Sequence, residues 1–319
     1  MSANPVQTVE HAVSINAPAQ RVYELVANVE KWPEIFSPTV HVEYIDRDER
    51  SERIQIWATA NGTAKTWTSR RQHDPDRMTI SFRQERSQHP VGGMGGTWVI
   101  EPTSESACLV RLLHDYFAAT DDPADLEWIA QAVDRNSKAE LDALKTNAEL
   151  ADPDQVISFA DTVEVDGSAT DVYHFLNEAQ LWEDRLPHVA RVSLEETTSG
   201  LQVLEMDTRT QDGAVHTTRS VRVCQPHHSI IYKQIVLPAL MTLHTGRWTI
   251  EPRDDAGVSV TSRHTVRINT DRIAGVLGED ADLRTAQDFV RKALSGNSLA
   301  TLGLAKAYAE DAAREHATA

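Results

Sequence analysis

A six-residue stretch in the first half of the chain carries side chains that could do chemistry on oxygen-rich compounds. Thr66 to Arg71 has the composition of a β-strand, and strand side chains point alternately to opposite faces. Trp67, Ser69 and Arg71 therefore share one face. The guanidinium can stabilise negative charge on carbonyl oxygens, the hydroxyl can donate to a carbonyl or hold a water, and the indole offers a flat wall. The competing interpretation is a strand arginine that faces solvent or forms an ion pair.

Two further polar residues are candidates for the same site. His114 falls in a later predicted strand and shares a face with Leu112 and Tyr116. Because imidazole titrates near neutrality, His114 is expected either to relay protons or only to pair within the sheet. Asn136 extends the apolar stripe of a predicted helix, so its amide requires a partner, which is either a ligand or a backbone carbonyl.

The chain repeats itself. Gly96 to Pro102 returns 150 residues later as Gly246 to Pro252. The candidate residues recur at this or a slightly larger offset: Trp32 with Trp182, His114 with His264, Ser69 with Ser220, Arg71 with Arg222, and Asn136 with Asn297. A match over so long a span predicts two homologous domains, residues 1–152 and 153–319. The halves are not equal, because Thr218 stands where the first half has Trp67.

The order of predicted elements in each half indicates the fold class. A strand over Thr8–Ile15 and a helix that opens at Pro18 are followed by six strands between Thr39 and Ala118, then by a helix over Pro123–Leu150. This order predicts an α+β fold in which a curved antiparallel sheet wraps around a long C-terminal helix. The space between sheet and helix is a natural cavity.

One segment of the first half is rich in glycine. Pro90 to Gly96 precedes a short strand predicted over Thr97–Glu101. No helix follows the glycines, so the segment does not match a dinucleotide-binding motif. We expect it to form a mobile loop at the mouth of the cavity.

Composition narrows the classes of partner. The 319 residues are 40% hydrophobic, which allows a packed core, and the net charge of −17 argues against nucleic acid and anionic membranes as partners. Cys108 and Cys224 lie far apart and the histidines lack ligand spacing, so neither a disulfide framework nor a metal site is expected. No secretory leader or membrane-spanning run is evident, and the cytoplasm is the expected location.

The motifs together resemble a known superfamily. Each half resembles the START-like, helix-grip (SRPBCC) domains. Trp32-Pro33-x-x-Phe36, Trp67-x-Ser69-x-Arg71 and Asn136-Ser137 are similar to motifs of the bacterial aromatic polyketide aromatase/cyclases, and the duplication resembles their di-domain subclass.

This resemblance implies a cofactor-independent enzyme that acts beside a minimal type II polyketide synthase. Its substrate would be a poly-β-ketone on an acyl carrier protein, and the reaction an intramolecular aldol cyclisation between carbons 7 and 12 followed by dehydrative aromatisation. The resemblance implies an essential Arg71, while Thr39 stands where some relatives have a pocket tyrosine. The candidate catalytic residues are Arg71, Ser69, His114, Arg222 and Ser220, and the candidate substrate-binding residues are Trp32, Trp67, Thr39, Asn136, Trp182, His264 and Asn297.

Several alternatives stay open at this point. The first pocket is expected to guide ring closure, while the second either handles dehydration or only supports the first. A non-catalytic carrier of an apolar or polyphenolic molecule is the main competing function, and a scaffold within a synthase complex is another. The expected oligomeric state is a monomer or a weak homodimer.

Overall fold

The structure is a computed structural model that describes residues 5–60, 62–87, 89–150, 153–209, 215–254 and 257–318. The chain folds as two compact units, Met1–Ala151 and Asp152–Ala319. The units divide after residue 151, whereas the predicted boundary follows residue 152. Residues 151 and 152 themselves lie outside the described ranges.

The first unit contains a seven-stranded sheet in which all neighbouring strands are antiparallel. Its strands lie in the order β1-β7-β6-β5-β4-β3-β2 and are β1 (Gln7–Ile15), β2 (Thr39–Arg47), β3 (Ser51–Ala60), β4 (Thr63–Asp74), β5 (Thr79–Gln84), β6 (Val91–Ser104) and β7 (Ala107–Ala118). Three α-helices accompany the described strands: α1 (Ala19–Ala27), α2 (Trp32–Ile35) and α3 (Pro123–Ala148).

The second unit repeats this arrangement with the strand order β8-β14-β13-β12-β11-β10-β9. Its strands are β8 (Val156–Val165), β9 (Val189–Thr198), β10 (Leu201–Arg209), β11 (Val215–Gln225), β12 (Ser229–Val236), β13 (Met241–Pro252) and β14 (Val258–Ile268). Its helices are α4 (Ala169–Asn177), α5 (Trp182–Arg185), α6 (Ile273–Leu277) and α7 (Leu283–Thr318). The predicted α+β class and tandem helix-grip fold are thus confirmed.

Local sequence explains where the long helix of the first unit begins and which face it buries. The Asp122 carboxylate accepts a hydrogen bond from the backbone N–H of Ala124, and Pro123 occupies the first turn, where its missing N–H costs nothing. Ile129 and Val133 then pack with β7 residues. Two turns later Leu141 and Leu144 join a larger cluster that contains α1, β6 and β7 side chains.

These clusters do not merge into a single core. A third group includes Ile54 and Ile56 of β3, and Trp32 packs against both this group and the larger cluster. The space left between the three groups is a cavity, and members of all three line it. The apolar side chains of the sheet and the helix thus pack around the cavity and leave it open between them.

The glycine-rich segment was wrongly predicted to be a loop. β6 begins at Val91, so only Pro90 of the predicted loop precedes the strand. A Cβ at Gly96 would lie 2.1 Å from the carbonyl oxygen of Leu113, and one at Gly93 would lie 2.5 Å from the Phe117 ring. The glycines therefore permit close strand packing.

Candidate active site

The cavity of the first unit has a volume of about 240 Å³. It lies between α3 and the sheet, and its lining includes every site residue that the sequence predicted for the first half: Trp32, Thr39, Trp67, Ser69, Arg71, His114 and Asn136. His89, with a side chain 69% exposed, and Trp128, 43% exposed, lie on its more solvent-accessible border. We take that border as the mouth.

Strand β4 forms one wall, as its alternation predicts. Lys65, Trp67, Ser69 and Arg71 point to one face and all four line the cavity. Arg70 points the other way and forms an ion pair of 3.1 Å with Glu85. The shared face of the Trp-x-Ser-x-Arg motif is therefore a cavity wall.

Arg71 is fixed by a buried carboxylate and by the end of α1. Its Nη1 donates to Glu52 Oε1 at 2.5 Å and to the Ala27 carbonyl at 3.3 Å, and its Nη2 donates to the Val26 carbonyl at 2.7 Å. The guanidinium also lies 4.8 Å from the centre of the Trp32 ring. Since Glu52 pairs with Arg71 across β3 and β4, strand register brings the two charges together.

Arg71 and Glu52 each stabilise the charged form of the other, although burial destabilises both charges. Burial lowers the pKa of Arg71 to about 10, and nearby Glu52 limits that fall, so the guanidinium stays charged at neutral pH. Burial alone would raise the pKa of Glu52, but contacts with His73, at 3.2 Å, and with Arg71 outweigh it and hold that pKa below its usual range. The result is a fixed ion pair whose guanidinium, rather than its carboxylate, borders the cavity.

The expected use of Arg71 as a free fork needs correction. Three of its five N–H groups are bonded to Glu52 and the two backbone carbonyls, which leaves two without a partner among the described residues. The guanidinium can therefore place its charge beside a substrate oxygen and donate through the remaining N–H groups. It cannot offer its whole fork without giving up Glu52.

The predicted donor role of Ser69 is also altered by its surroundings. Its hydroxyl donates to the backbone carbonyl of Arg83 at 3.2 Å, and the side chain is only 3% exposed. With its proton engaged, Ser69 offers the cavity an acceptor oxygen. It can still hold a water, but it does not donate to a ketone in this arrangement.

His114 lines the cavity but is not poised to titrate near neutrality, contrary to the expectation from free imidazole. Burial, with a smaller contribution from the charge of His11, lowers the pKa of His114 to about 4. Its Nδ1 lies 3.4 Å from Ser137 Oγ, and its ring meets Phe82 edge-on at 5.5 Å. His114 is therefore a neutral hydrogen-bonding group at pH 7.

Aromatic rings form the flat walls. The Trp32 indole N–H donates to the Val26 carbonyl at 3.1 Å, which is the same oxygen that Arg71 contacts. Trp32 packs edge-on against Phe36 at 5.5 Å, and Phe36 lies 6.1 Å from Trp98.

Two polar residues of the lining differ in their availability to a ligand. Thr39 is 7% exposed at the start of β2. Asn136 lies on α3, and among the described residues its side-chain amide has no hydrogen-bond partner. A backbone carbonyl partner is thus not found among the described residues, and a ligand as the partner of Asn136 stays a prediction.

The second unit keeps the arginine but changes its partner. Arg222 is 1% exposed, its Nη2 donates to the Leu176 carbonyl at 2.5 Å, and its guanidinium lies 5.2 Å from the Trp182 ring centre. Gln202 is the cross-strand neighbour of Arg222, where Glu52 is the neighbour of Arg71. Burial lowers the pKa of Arg222, and its Nε and Nη1 have no partner among the described residues.

A buried polar cluster occupies the region around His264. His264 Nδ1 lies 3.1 Å from the Tyr232 hydroxyl and 3.0 Å from His244 Nε2, and its Nε2 lies 2.8 Å from Ser298 Oγ. Burial lowers the pKa of His264 to about 4 and that of His244 to about 3. These neutral side chains contact one another, but the buried Nδ1 of His244 has no partner among the described residues.

The remaining candidates of the second half are not gathered at one open site. Trp182 is buried and packs against Trp248 at 5.8 Å. Ser220 is partly exposed on β11, and Asn297 lies exposed on α7. In both units a serine on the long C-terminal helix contacts the strand histidine: Ser137 contacts His114 in the first unit, and Ser298 contacts His264 in the second.

Comparison with known proteins assigns the family. Residues 6–149 and 156–310 each match the family described as polyketide cyclase/dehydrase and lipid transport. The chain belongs to this family. Polyketide cyclase/dehydrase domains thus occur twice, once in each unit of the fold.

Relatives within this family resemble the protein over nearly its full length. It is 49% identical over 297 residues, 92% of this chain and 96% of the relative, to the granaticin polyketide synthase bifunctional cyclase/dehydratase of Streptomyces virginiae. The actinorhodin polyketide synthase bifunctional cyclase/dehydratase of Streptomyces coelicolor is 44% identical over 321 residues, 97% of this chain and 99% of the relative. The crystal structure of BexL, a di-domain ARO/CYC from the BE-7585A biosynthetic pathway, superposes with a TM-score of 0.87 at 56% identity and covers 95% of this chain and 99% of its own.

Three residues that line the cavity or contact its lining were missed from the sequence. Glu52 holds Arg71, and its position opposite that residue across a hairpin was a usable signal. Ser137 lies beside His114 within the Asn136-Ser137 motif. Glu140 lines the cavity one helical turn after Asn136, and the i, i+4 spacing would have placed it on that face.

The described part of the chain contains no group of three or more His, Cys, Asp or Glu side chains placed to hold a metal ion. None of the described helices is both long enough and apolar enough to span a membrane.

Proposed function

We propose that this protein is a polyketide aromatase/cyclase that directs aldol closure between carbons 7 and 12 of a poly-β-ketone on an acyl carrier protein, then dehydrates the new ring to an aromatic one. Its relatives are named bifunctional cyclase/dehydratases of polyketide synthases, and the similarity spans both units. The proposal extends their chemistry to a specific bond and a tethered substrate.

The observation that carries the proposal is the fixed Arg71 cation in an aromatic-walled cavity. A carbon between two ketones is already acidic, so cyclisation needs a chosen chain fold, stabilisation of the developing oxyanion and proton transfer. Glu52 and two backbone carbonyls hold Arg71 in place before the substrate arrives. Such preorganised charge is most effective where water is excluded.

The cavity shape supports a chain that enters from one side. Trp32, Trp67 and Trp98 line it and favour a flat, partly conjugated chain over random conformations. The border at His89 and Trp128 is the route by which the unreacted part of the chain leaves toward the carrier protein. Regiochemistry then follows from which carbonyl reaches Arg71 when the folded segment fills about 240 Å³.

We assign ring closure and aromatisation to the first unit. In the second unit Arg222 has lost its carboxylate neighbour and His264 is engaged by Tyr232, His244 and Ser298. These contacts favour a supporting role for the second unit.

The test is product analysis of a reconstituted minimal polyketide synthase with wild type and variants. Wild type is expected to convert shunt products into one aromatic compound. Arg71→Ala and Arg71→Lys should lose that effect while remaining folded, because lysine cannot reproduce the three-way hydrogen bonding. The matched control is Arg70→Ala, which removes the neighbouring, outward-facing arginine that is 55% exposed.

The outcomes separate the competing functions. An unchanged product profile in Arg222→Ala agrees with a supporting second unit, whereas loss of aromatisation alone would assign that step there. If wild type alters nothing with either reduced or unreduced chains, the cyclase proposal is wrong, and a non-catalytic carrier of an apolar or polyphenolic ligand replaces it.

A further inference from the structure

The cavity contains a carboxyl group that the Arg71 chemistry does not use. Glu140 lies on α3 one turn after Asn136, and both side chains line the cavity. Among the described lining residues, Glu140 supplies the only carboxylate. It keeps some accessible surface because it borders the cavity, although protein encloses it.

Unlike Glu52, Glu140 has no partner that would explain its position. No described residue forms a hydrogen bond or an ion pair with it, whereas the Glu52 carboxylate contacts both Arg71 and His73. An enclosed carboxylate without a partner is destabilising in its charged form. A structural role therefore accounts poorly for this side chain.

The pKa of Glu140 distinguishes it from Arg71 and His114, which also face the cavity. Burial raises the pKa of Glu140 to about 7. The other ionisable groups that face the cavity are Lys65 and Arg71 on β4, His89 just before β6, and His114 on β7. Arg71 stays charged beside Glu52, and His114, with a pKa of about 4, stays neutral. Glu140 is thus a group that can both take up and release a proton near neutral pH, as a general acid–base requires.

We propose that Glu140 is the catalytic base and acid of the cyclisation and the dehydration. The assignment rests on the proposed function, because it requires a β-ketone chain in this cavity. It also gives Arg71 and Glu140 separate tasks, with Arg71 stabilising charge on oxygen and Glu140 moving protons.

In the first step the Glu140 carboxylate takes a proton from the methylene carbon between two ketones. The C–H electron pair forms an enolate, whose carbon attacks the carbon of a distant ketone and makes the new C–C bond. The π pair of that ketone becomes an alkoxide beside Arg71, and the proton held by Glu140 passes to it directly or through a water. The product is a β-hydroxy ketone, and the carboxylate is regenerated.

Dehydration uses the same group a second time. The carboxylate removes the remaining proton from the same carbon, the electron pair forms a C=C bond, and the C–O bond breaks. The departing hydroxide takes the proton from Glu140 and leaves as water. The resulting enone enolises to the aromatic ring, so no oxidant or reductant is needed.

The second unit provides an internal comparison. The alignment of Asn136-Ser137 with Asn297-Ser298 puts Thr301 at the position of Glu140. Thr301 is 5% exposed and donates its hydroxyl proton to the Asn297 carbonyl at 2.9 Å. The second unit therefore has a hydroxyl rather than a carboxyl group at the position of Glu140.

The experiment compares wild type, Glu140→Gln, Glu140→Asp and the control Glu127→Gln in the reconstituted minimal synthase between pH 6 and 8. Glu127 lies on the exposed side of the same helix. Wild-type cyclisation should rise with pH through about 7, since the base must be deprotonated. Glu140→Gln should lower it by roughly 10²–10⁴-fold, the usual contribution of a general base, and abolish the pH step. Glu140→Asp should restore part of the rate, and Glu127→Gln should match wild type.

A second readout does not depend on turnover. In protein with ¹³C-labelled glutamate side chains, the resonance that disappears in Glu140→Gln should titrate near pH 7. A midpoint near the ordinary value of about 4.3 would overturn the assignment. So would a folded Glu140→Gln variant with wild-type rate and pH profile, a result that leaves the cyclase function intact. If wild type itself fails to redirect the products, the function and this assignment fall together.

Discussion

The buried ion pair between Arg71 and Glu52 leads to a stability prediction that does not depend on the substrate. Glu52→Leu removes the carboxylate but keeps a side chain of similar length. Arg71 would then retain only the backbone carbonyls of Val26 and Ala27 as acceptors, among the described residues. The guanidinium would become a buried charge without a counterion.

The magnitude follows from the geometry and the burial. The two charged atoms are 2.5 Å apart, and the side chains are 1% and 2% exposed. Breaking such a pair from one side costs about 3–5 kcal/mol, because the remaining charge stays desolvated. Arg71→Met should cost a similar amount, since it leaves Glu52 buried with His73 as its main remaining contact. The double variant Glu52→Leu/Arg71→Met leaves neither charge without a partner. Its loss of unfolding free energy should therefore be smaller than the sum of the two single losses by about 2–3 kcal/mol.

The second unit supplies the matched comparison. Gln202 stands where Glu52 does but is uncharged, and its side-chain N–H donates to Glu196 Oε2 at 2.7 Å. Gln202→Leu should therefore cost only about 1–2 kcal/mol, the range of a buried hydrogen bond. An exposed pair serves as a second control: Lys138, 64% exposed and paired with Asp134, should tolerate Lys138→Met within about 0.5 kcal/mol.

Because the chain has two units, a single unfolding curve would mix their transitions. Amide hydrogen exchange read by mass spectrometry reports the opening free energy of β3 and β4 separately from that of β10 and β11. If the Arg71–Glu52 coupling is below about 0.5 kcal/mol, or if Gln202→Leu is as costly as Glu52→Leu, the electrostatic reasoning is wrong.

Three other predictions concern stability and reactivity. Burial lowers the pKa of three histidines, His114, His244 and His264. As the pH falls below about 6.5, these histidines become protonated in the unfolded chain before they do in the folded protein. Between pH 7 and pH 4.5 the unfolding free energy should therefore drop by on the order of 2 kcal/mol for each histidine. Opening free energies from amide hydrogen exchange that stay the same in both units between pH 7 and 4.5 would contradict this. Gly96→Ala should cost about 1–3 kcal/mol because its Cβ would meet the Leu113 carbonyl oxygen at 2.1 Å, whereas exposed Gly303→Ala, with nothing within 4 Å, should stabilise α7 by up to about 1 kcal/mol in thermal unfolding. Burial raises the pKa of Cys108 and Cys224, so an aromatic disulfide reagent should label both only after denaturation, and rapid labelling of native protein would refute their burial.

The fold was predictable because its signals are local and repeated. Alternation along β4 placed Trp67, Ser69 and Arg71 on one face, and all three line the cavity. The 150-residue repeat made each half a check on the other. The error at Gly93 and Gly96 arose because glycine has two meanings, backbone freedom and the absence of a Cβ, and only the packed neighbours show which applies.

The electrostatics of the site were less predictable because they depend on which residues come together from distant parts of the chain. From the sequence alone His114 has the pKa of free imidazole and Arg71 has five free donors. The structure encloses His114, which lowers its pKa to about 4, and commits three donors of Arg71 to Glu52 and α1. The residue types and their alternation were therefore enough to predict the cavity wall. The pKa of each group and its free hydrogen-bond donors depend on burial and on partners from distant parts of the chain.

Duplication explains why the two units can keep one fold and differ in chemistry. The strand arginine, the tryptophan beneath it and the histidine with its helix serine occur in both, so these contacts are compatible with either role. The units differ at four positions. At two of them the first unit has a carboxyl group and the second does not: Glu52 against Gln202 and Glu140 against Thr301. At the other two the second unit has a polar ring where the first has an apolar side chain: Phe82 against Tyr232 and Met94 against His244. Two of these four positions carry carboxyl groups in the first unit, whereas all four carry neutral polar side chains in the second. Transplanting all four first-unit residues into the second unit would therefore give Arg222 a carboxylate neighbour, through Gln202→Glu, as well as a carboxyl group on α7, through Thr301→Glu.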